Sequence, residues 1–120
     1  MAELPRDVRA VKIVLEWENL PVGDSPLFLS HEALILSFEE TQVQGFKNDD
    51  QEDIYYDLST HFLWIGERTS KFTEAHVEFF RGIANPVGMK VGPKKPISEV
   101  VQAIKALNPD NIMGKLVLIL

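Results

Sequence analysis

Phe62-Leu63-Trp64-Ile65-Gly66-Glu67-Arg68-Thr69-Ser70-Lys71-Phe72-Thr73-Glu74-Ala75-His76-Val77-Glu78-Phe79-Phe80-Arg81-Gly82-Ile83 is where the chain passes from a short apolar run to an amphipathic one. Four consecutive apolar residues ending at a glycine have the length of a buried strand. After the polar turn, Ser70 can cap a helix, and Phe72, Ala75, His76, Phe79 and Ile83 recur at helical spacing. The spacing predicts a helix over 70–83, ended by Gly82 and Asn85-Pro86. Its stripe Phe72/Ala75/Phe79/Ile83 is expected to dock on a sheet. Val77, Phe80 and Ala84 form a second apolar set on another side, to be covered by a further layer or offered to a partner.

Working outward, Val11, Ile13, Leu15 and Trp17 alternate along residues 11–17 and predict a strand. Pro21, Gly23, Asp24 and Pro26 then mark a turn. Leu34, Leu36 and Phe38 predict a second strand over 33–38, and residues 41–46 are a third run that either hairpins back or forms a loop. Residues 54–58 and 62–65 read as a tight hairpin about Ser59 and Thr60, or as one bent strand. Downstream, a second helix opens at Pro96 and carries Ile97, Val100, Val101, Ile104 and Leu107 until Asn108-Pro109 stops it. A short strand at 89–91 and a buried strand at 115–120 complete the order. The expected fold class is α+β, as one domain over residues 1–120.

Composition bounds the function. The chain has 120 residues, 45% hydrophobic and 25% charged, a formal net charge of −6 and no cysteine. Disulfides, thiolate metal sites and cysteine nucleophiles are excluded. No apolar run approaches the ~18 residues of a membrane span. The polar N-terminus MAELPRDVRA lacks the apolar stretch of a signal peptide, so a cytoplasmic location is expected. Charge is polarised: acids concentrate at Asp49, Asp50, Glu52, Asp53 and Asp57, and bases at Lys90, Lys94 and Lys95. An acidic total disfavours nucleic acid, which needs a broad basic surface.

Catalytic motifs are missing. The chain holds no G-x-S-x-G, no G-x-x-x-x-G-K-[ST] and no G-x-G-x-x-G. His31-Glu32 lacks the second histidine of a zinc helix. Counted from Asp49, an EF-hand would need glycine at Ile54 and glutamate at Thr60. An enzyme is not expected from these residues.

The strand Phe62-Leu63-Trp64-Ile65-Gly66, its polar turn and the helix opening Ser70-Lys71-Phe72-Thr73-Glu74-Ala75 resemble the gelsolin-repeat signature. Phe28-Leu29-Ser30-His31-Glu32-Ala33-Leu34-Ile35-Leu36 is similar to the family's upstream Gly-Asp strand, with histidine and glutamate at those two positions. The resemblance implies a gelsolin-like module: a central mixed β-sheet flanked by one long and one short helix. It implies a Ca²⁺ site made by the His31 carbonyl, Glu32 and Glu74. It also implies an actin-binding helix whose Val77, Phe80 and Ala84 fill an apolar cleft, with Lys71 and Arg81 at the rim. A monomeric regulator that sequesters, caps or severs filaments of actin or an actin-like protein is the resulting expectation. The alternative is a small acidic immunity-type inhibitor that plugs a basic toxin with residues 47–57. Residues 96–104 and 114–118 also resemble the tail of medium-chain dehydrogenases, but no dinucleotide loop accompanies them.

Overall fold

Leu63 and Ile65 are completely buried, and so are Val87 and Met89 two dozen residues later. These four side chains mark the helix-covered face of a sheet. The computed structural model describes residues 28–71 and 73–120; the strand expected over 11–17, the turn at 19–26 and Phe72 lie outside them.

Among the described residues, four strands form the main sheet: β1 (Ser30–Glu32), β4 (Phe62–Ile65), β5 (Val87–Lys90) and β6 (Leu116–Ile119), in the order β1-β4-β5-β6. Every pair is parallel, with Glu32 opposite Trp64, Ile65 opposite Met89, and Lys90 opposite Ile119. Between β1 and β4 the chain makes helix α1 (Leu36–Gln42) and an antiparallel hairpin of β2 (Val43–Lys47) and β3 (Asp53–Asp57). Helix α2 (Ala75–Arg81) links β4 to β5, and α3 (Ile97–Leu107) links β5 to β6. Spatial order follows chain order without reversal, as in the wall of a β/α barrel. The expected mixed sheet of a gelsolin-like module is corrected: each crossover carries a helix, and a helical crossover brings the next strand back parallel.

Helices α2 and α3 pack on one face. Val77, Phe80, Ile83, Ala103 and Leu107 join Leu63, Ile65, Val87 and Met89 in a single buried cluster. Because strand side chains alternate, the opposite face carries Ser30 and Glu32, Phe62 and Trp64, Gly88 and Lys90, and Val117 and Ile119. Gly88 is required there: a β-carbon would stand 2.8 Å from the Phe62 ring and 3.0 Å from Trp64 Cβ.

The buried side of the 70–83 helix draws on both stripes: Val77 and Phe80 of the second set join Ile83 of the first in the core, with Phe79 packed against it. Val77 and Phe80 are fully buried and Ala75 is exposed. The helix is also shorter, beginning at Ala75 after a 3₁₀ turn, Glu67–Thr69. Ser70 is no cap; its buried hydroxyl donates to the Glu67 carbonyl, 2.8 Å away. Residues 33–38 are not a strand. After Ala33 the chain turns into α1, leaving Leu34, Ile35 and Phe38 exposed and turning Glu39 inward.

Residues 54–58 and 62–65 belong to two different sheets, so neither the tight hairpin nor the bent strand forms. Asn85 pins the loop between them, accepting from Asp57 N at 2.9 Å and donating to Asp57 O at 2.8 Å and Thr60 O at 3.3 Å. The third run neither hairpins back nor forms a loop: residues 41–42 end α1, and Val43–Lys47 pairs forward with Asp53–Asp57 across the acidic turn, where Asn48 Oδ1 accepts from Glu52 N and Gln51 takes a left-handed φ of 64°. Residues 116–119 do form the last strand, but at an edge, with Val117 and Leu118 exposed.

Candidate functional site

Helix-forming crossovers force the charged residues after each buried strand to one end of the sheet. Glu32 ends β1, Glu67 and Arg68 follow β4 directly, and Lys90 ends β5. All four line a cleft of about 460 Å³ at the C-terminal ends of the strands, together with Thr69 and His76.

Two glycines create room for the carboxylates. A β-carbon at Gly66 would lie 2.0 Å from Glu32 Oε1, and one at Gly92 would lie 1.7 Å from Glu67 Oε1. Both carboxylates therefore rest against bare backbone, a close approach only glycine permits. Lys90 Nζ stands 5.9 Å over the Trp64 ring, a cation–π distance that leaves the ammonium exposed at the rim. Arg68 is exposed on the 3₁₀ turn. Two nitrogens are unpaired among the described residues: His76 Nε2 and Trp64 Nε1 are buried without a hydrogen-bond partner. Buried polar atoms are nearly always paired, and of the two only His76 lines the cleft.

The residues expected to ligate Ca²⁺ fall on two elements: His31, through its carbonyl, and Glu32 on β1, and Glu74 at the entry to α2. Glu32 reaches the cleft. His31 points to the other face, its Nε2 2.6 Å from Glu39 Oε1. Glu74 sits at the N-cap position of α2. Among the described residues, no three His, Cys, Asp or Glu side chains are grouped to hold a metal ion. Of the expected partner-binding residues, Val77 and Phe80 are sealed in the core and Ala84 is half-buried. Lys71 and Arg81 are exposed, and Arg81 pairs with Glu78 at 2.7 Å.

A second polar cluster lies under α1. Glu39 Oε2 accepts from Ser59 Oγ at 2.9 Å while its Oε1 meets His31. Burial first, and then the neighbouring Asp57 carboxyl, push the Glu39 pKa above its ordinary 4.5, against the lowering effect of His31 and Ser59. Serine, histidine and glutamate are together here without forming a nucleophilic triad. The carboxylate binds the same imidazole nitrogen that faces Ser59, so no free base is aimed at the hydroxyl.

Glu67, Arg68 and Lys90 were missed as site residues. Each directly follows or ends a short buried apolar run, and in parallel α/β folds functional groups gather at that end of the strands. The signal existed but needed the strands to be read as parallel.

A parallel sheet wound in chain order, with its charged groups collected at the C-terminal edge, defines an α/β scaffold like part of a β/α-barrel wall. Comparison with known proteins agrees: the class-II DAHP synthetase family matches residues 7–120, and the chain belongs to that family. It is 42% identical over 113 residues to phospho-2-dehydro-3-deoxyheptonate aldolase of Neurospora crassa, covering 85% of this chain and 24% of that protein. It is 44% identical over 98 residues to a probable chloroplastic phospho-2-dehydro-3-deoxyheptonate aldolase of Catharanthus roseus, covering 82% and 19% respectively. The chain thus spans a quarter or less of the length of these relatives. The gelsolin-like resemblance is overturned, and with it the actin or actin-like partner, the filament-regulating function and the non-enzyme expectation; the immunity-type inhibitor likewise finds no support. Short aromatic–Trp–Gly strands followed by a helix are common patterning, and 42% identity over most of the chain outweighs them. Among the described residues, no helix is long and apolar enough to cross a membrane.

Proposed function

We propose that this chain supplies part of the substrate cleft of a DAHP synthetase-type aldolase and binds the anionic groups of a phosphorylated sugar acid. The observation that carries the reading is the convergence of Arg68 and Lys90 with Glu32 and Glu67 at the C-terminal edge of the parallel sheet. The compound in the relatives' name bears a phosphate and a carboxylate beside a 2-oxo group. Arg68 suits a two-pronged grip on either anion, since its planar fork matches two oxygens at once. Lys90 supplies a second, compact positive charge, steadied by the Trp64 face. Glu32 and Glu67 are placed to orient hydroxyls or pass protons at the carbon being joined or cleaved. A cytoplasmic location belongs to the same proposal and is checked by cell fractionation.

Titration calorimetry with phospho-2-dehydro-3-deoxyheptonate tests the reading on the full chain. Binding that inorganic phosphate competes away, and that Arg68→Ala weakens about tenfold or more, is the expected result, because a charge-assisted hydrogen bond contributes about 1.5–3 kcal/mol. A folded chain that binds neither ligand would overturn it.

A further inference from the structure

Lys95 lies outside the cleft yet is bonded to its wall. It is the residue before Pro96, the N-cap of α3, so the helix fixes where its backbone stands. From there Nζ reaches back 25 residues in sequence to Ser70, donating to both its carbonyl and its hydroxyl oxygen at 2.6 Å. Ser70 is fully buried and ends the 3₁₀ turn that carries Glu67 and Arg68. Its own hydroxyl donates to the Glu67 carbonyl at 2.8 Å. The circuit closes on the other side, where the Glu67 carboxylate rests against Gly92 in the loop that leads to Lys95. Lys95 N donates to Gly92 O at 3.1 Å and tightens that loop.

We propose that Lys95 is a positioning residue: its bonds to Ser70 hold the Glu67–Thr69 turn against the β5–α3 loop and so set Arg68 and Glu67 for ligand. The proposal rests on the reading of the cleft as an anion site and deepens it. The physical basis is desolvation. A buried carbonyl and hydroxyl that lose a charged donor are left to find new partners, and a three-residue 3₁₀ turn has little other hydrogen bonding to keep it in place. Arg68, on the turn, then samples many poses and loses the preorganisation that a two-pronged anion grip needs.

The test uses the full chain and four proteins: wild type, Lys95→Met, Lys95→Arg and Lys94→Met. Lys94 is an exposed neighbour, and its variant removes the same unit of charge without touching Ser70. Amide hydrogen exchange without ligand reads the clamp itself. Lys95→Met should speed exchange at Glu67–Ser70 and at Gly92 while the β4 amides stay protected. Calorimetry with inorganic phosphate and with phospho-2-dehydro-3-deoxyheptonate reads its purpose. Lys95→Met should weaken binding about tenfold, Lys95→Arg should recover most of that loss, and Lys94→Met should stay within about twofold of wild type. Equal weakening by the two methionine variants would mean that Lys95 acts only through net charge, and would overturn the clamp. Unchanged exchange and affinity in Lys95→Met would overturn it too. If wild type binds neither ligand while Lys95→Met still loosens the turn, the anion-site reading fails and Lys95 is structural only.

Discussion

Glu67 rests closer against Gly92 than Glu32 does against Gly66, and the pair can be separated by one methyl group. A Gly92→Ala side chain would collide with a flexible carboxylate rather than with backbone, so Glu67 would swing away at small cost to the fold. The expected outcome is a melting temperature within a few degrees of wild type and a clear loss of sugar-acid affinity, read by thermal denaturation and calorimetry on one sample. Glu39 belongs to stability instead. Its pKa is raised in the folded chain by burial and by Asp57, so above 4.5 the folded state holds this proton more tightly than the unfolded one. Its stabilising contribution is therefore present at low pH and lost as pH rises through the folded value. Glu39→Gln should flatten that part of the stability profile, as urea denaturation across pH 4 to 8 would show. A profile as steep as wild type would mean that another group titrates there.

At the scale of elements, the burial of Val77 and Phe80 on α2 has a direct mutational signature. Phe80→Ala should cost about 3–5 kcal/mol, as a cavity in a sealed core does. Ala75→Asp, on the stripe that the spacing assigned to the core, should move stability by no more than about 0.5 kcal/mol. Urea midpoints of the two variants decide it, and the reverse ranking would restore the original orientation. The error has a physical origin. Periodicity reveals that a helix has apolar positions three and four apart, but α2 has two such sets, and the choice between them depends on how the turn before it ends. With Glu67–Thr69 in a 3₁₀ turn and Ser70 buried under Lys95, the helix starts five residues late, and its buried side takes residues from both sets. Helix α3 was legible as a helix, with proline at its entry, but of its expected stripe Leu107 is buried while Ile97 and Val101 are exposed, and Ala103 is buried instead. Residues 33–38 misled for a related reason: a short apolar run fits helix or strand, and here burial of Glu39 against His31 and Ser59 selects the helix.

For the molecule as a whole, the sheet has an apolar edge. Val117 and Leu118 on β6 are 47% and 38% exposed, and the outer backbone edge of that strand is unpaired among the described residues. Such edges pair with other strands unless blocked. The chain alone should associate as its concentration rises, and Leu118→Lys should suppress that, as sedimentation velocity would reveal. Association unaffected by the lysine would place the contact elsewhere.

By itself the sequence determined the secondary elements with strong local signals: the strand at 62–65, the helix after Pro96, the last strand, and a cysteine-free acidic composition that closes whole classes of chemistry. It also contained Glu32, Glu67, Arg68 and Lys90, scattered over 59 positions and unremarkable one by one. Only the tertiary structure decided that the strands run parallel, and that decision creates the cleft. Strand direction is set by the helices that cross between strands and by long-range pairing such as Glu32 with Trp64, neither of which leaves a mark in local periodicity. Once the strands are parallel, their ends coincide, and four separate charged residues become one site.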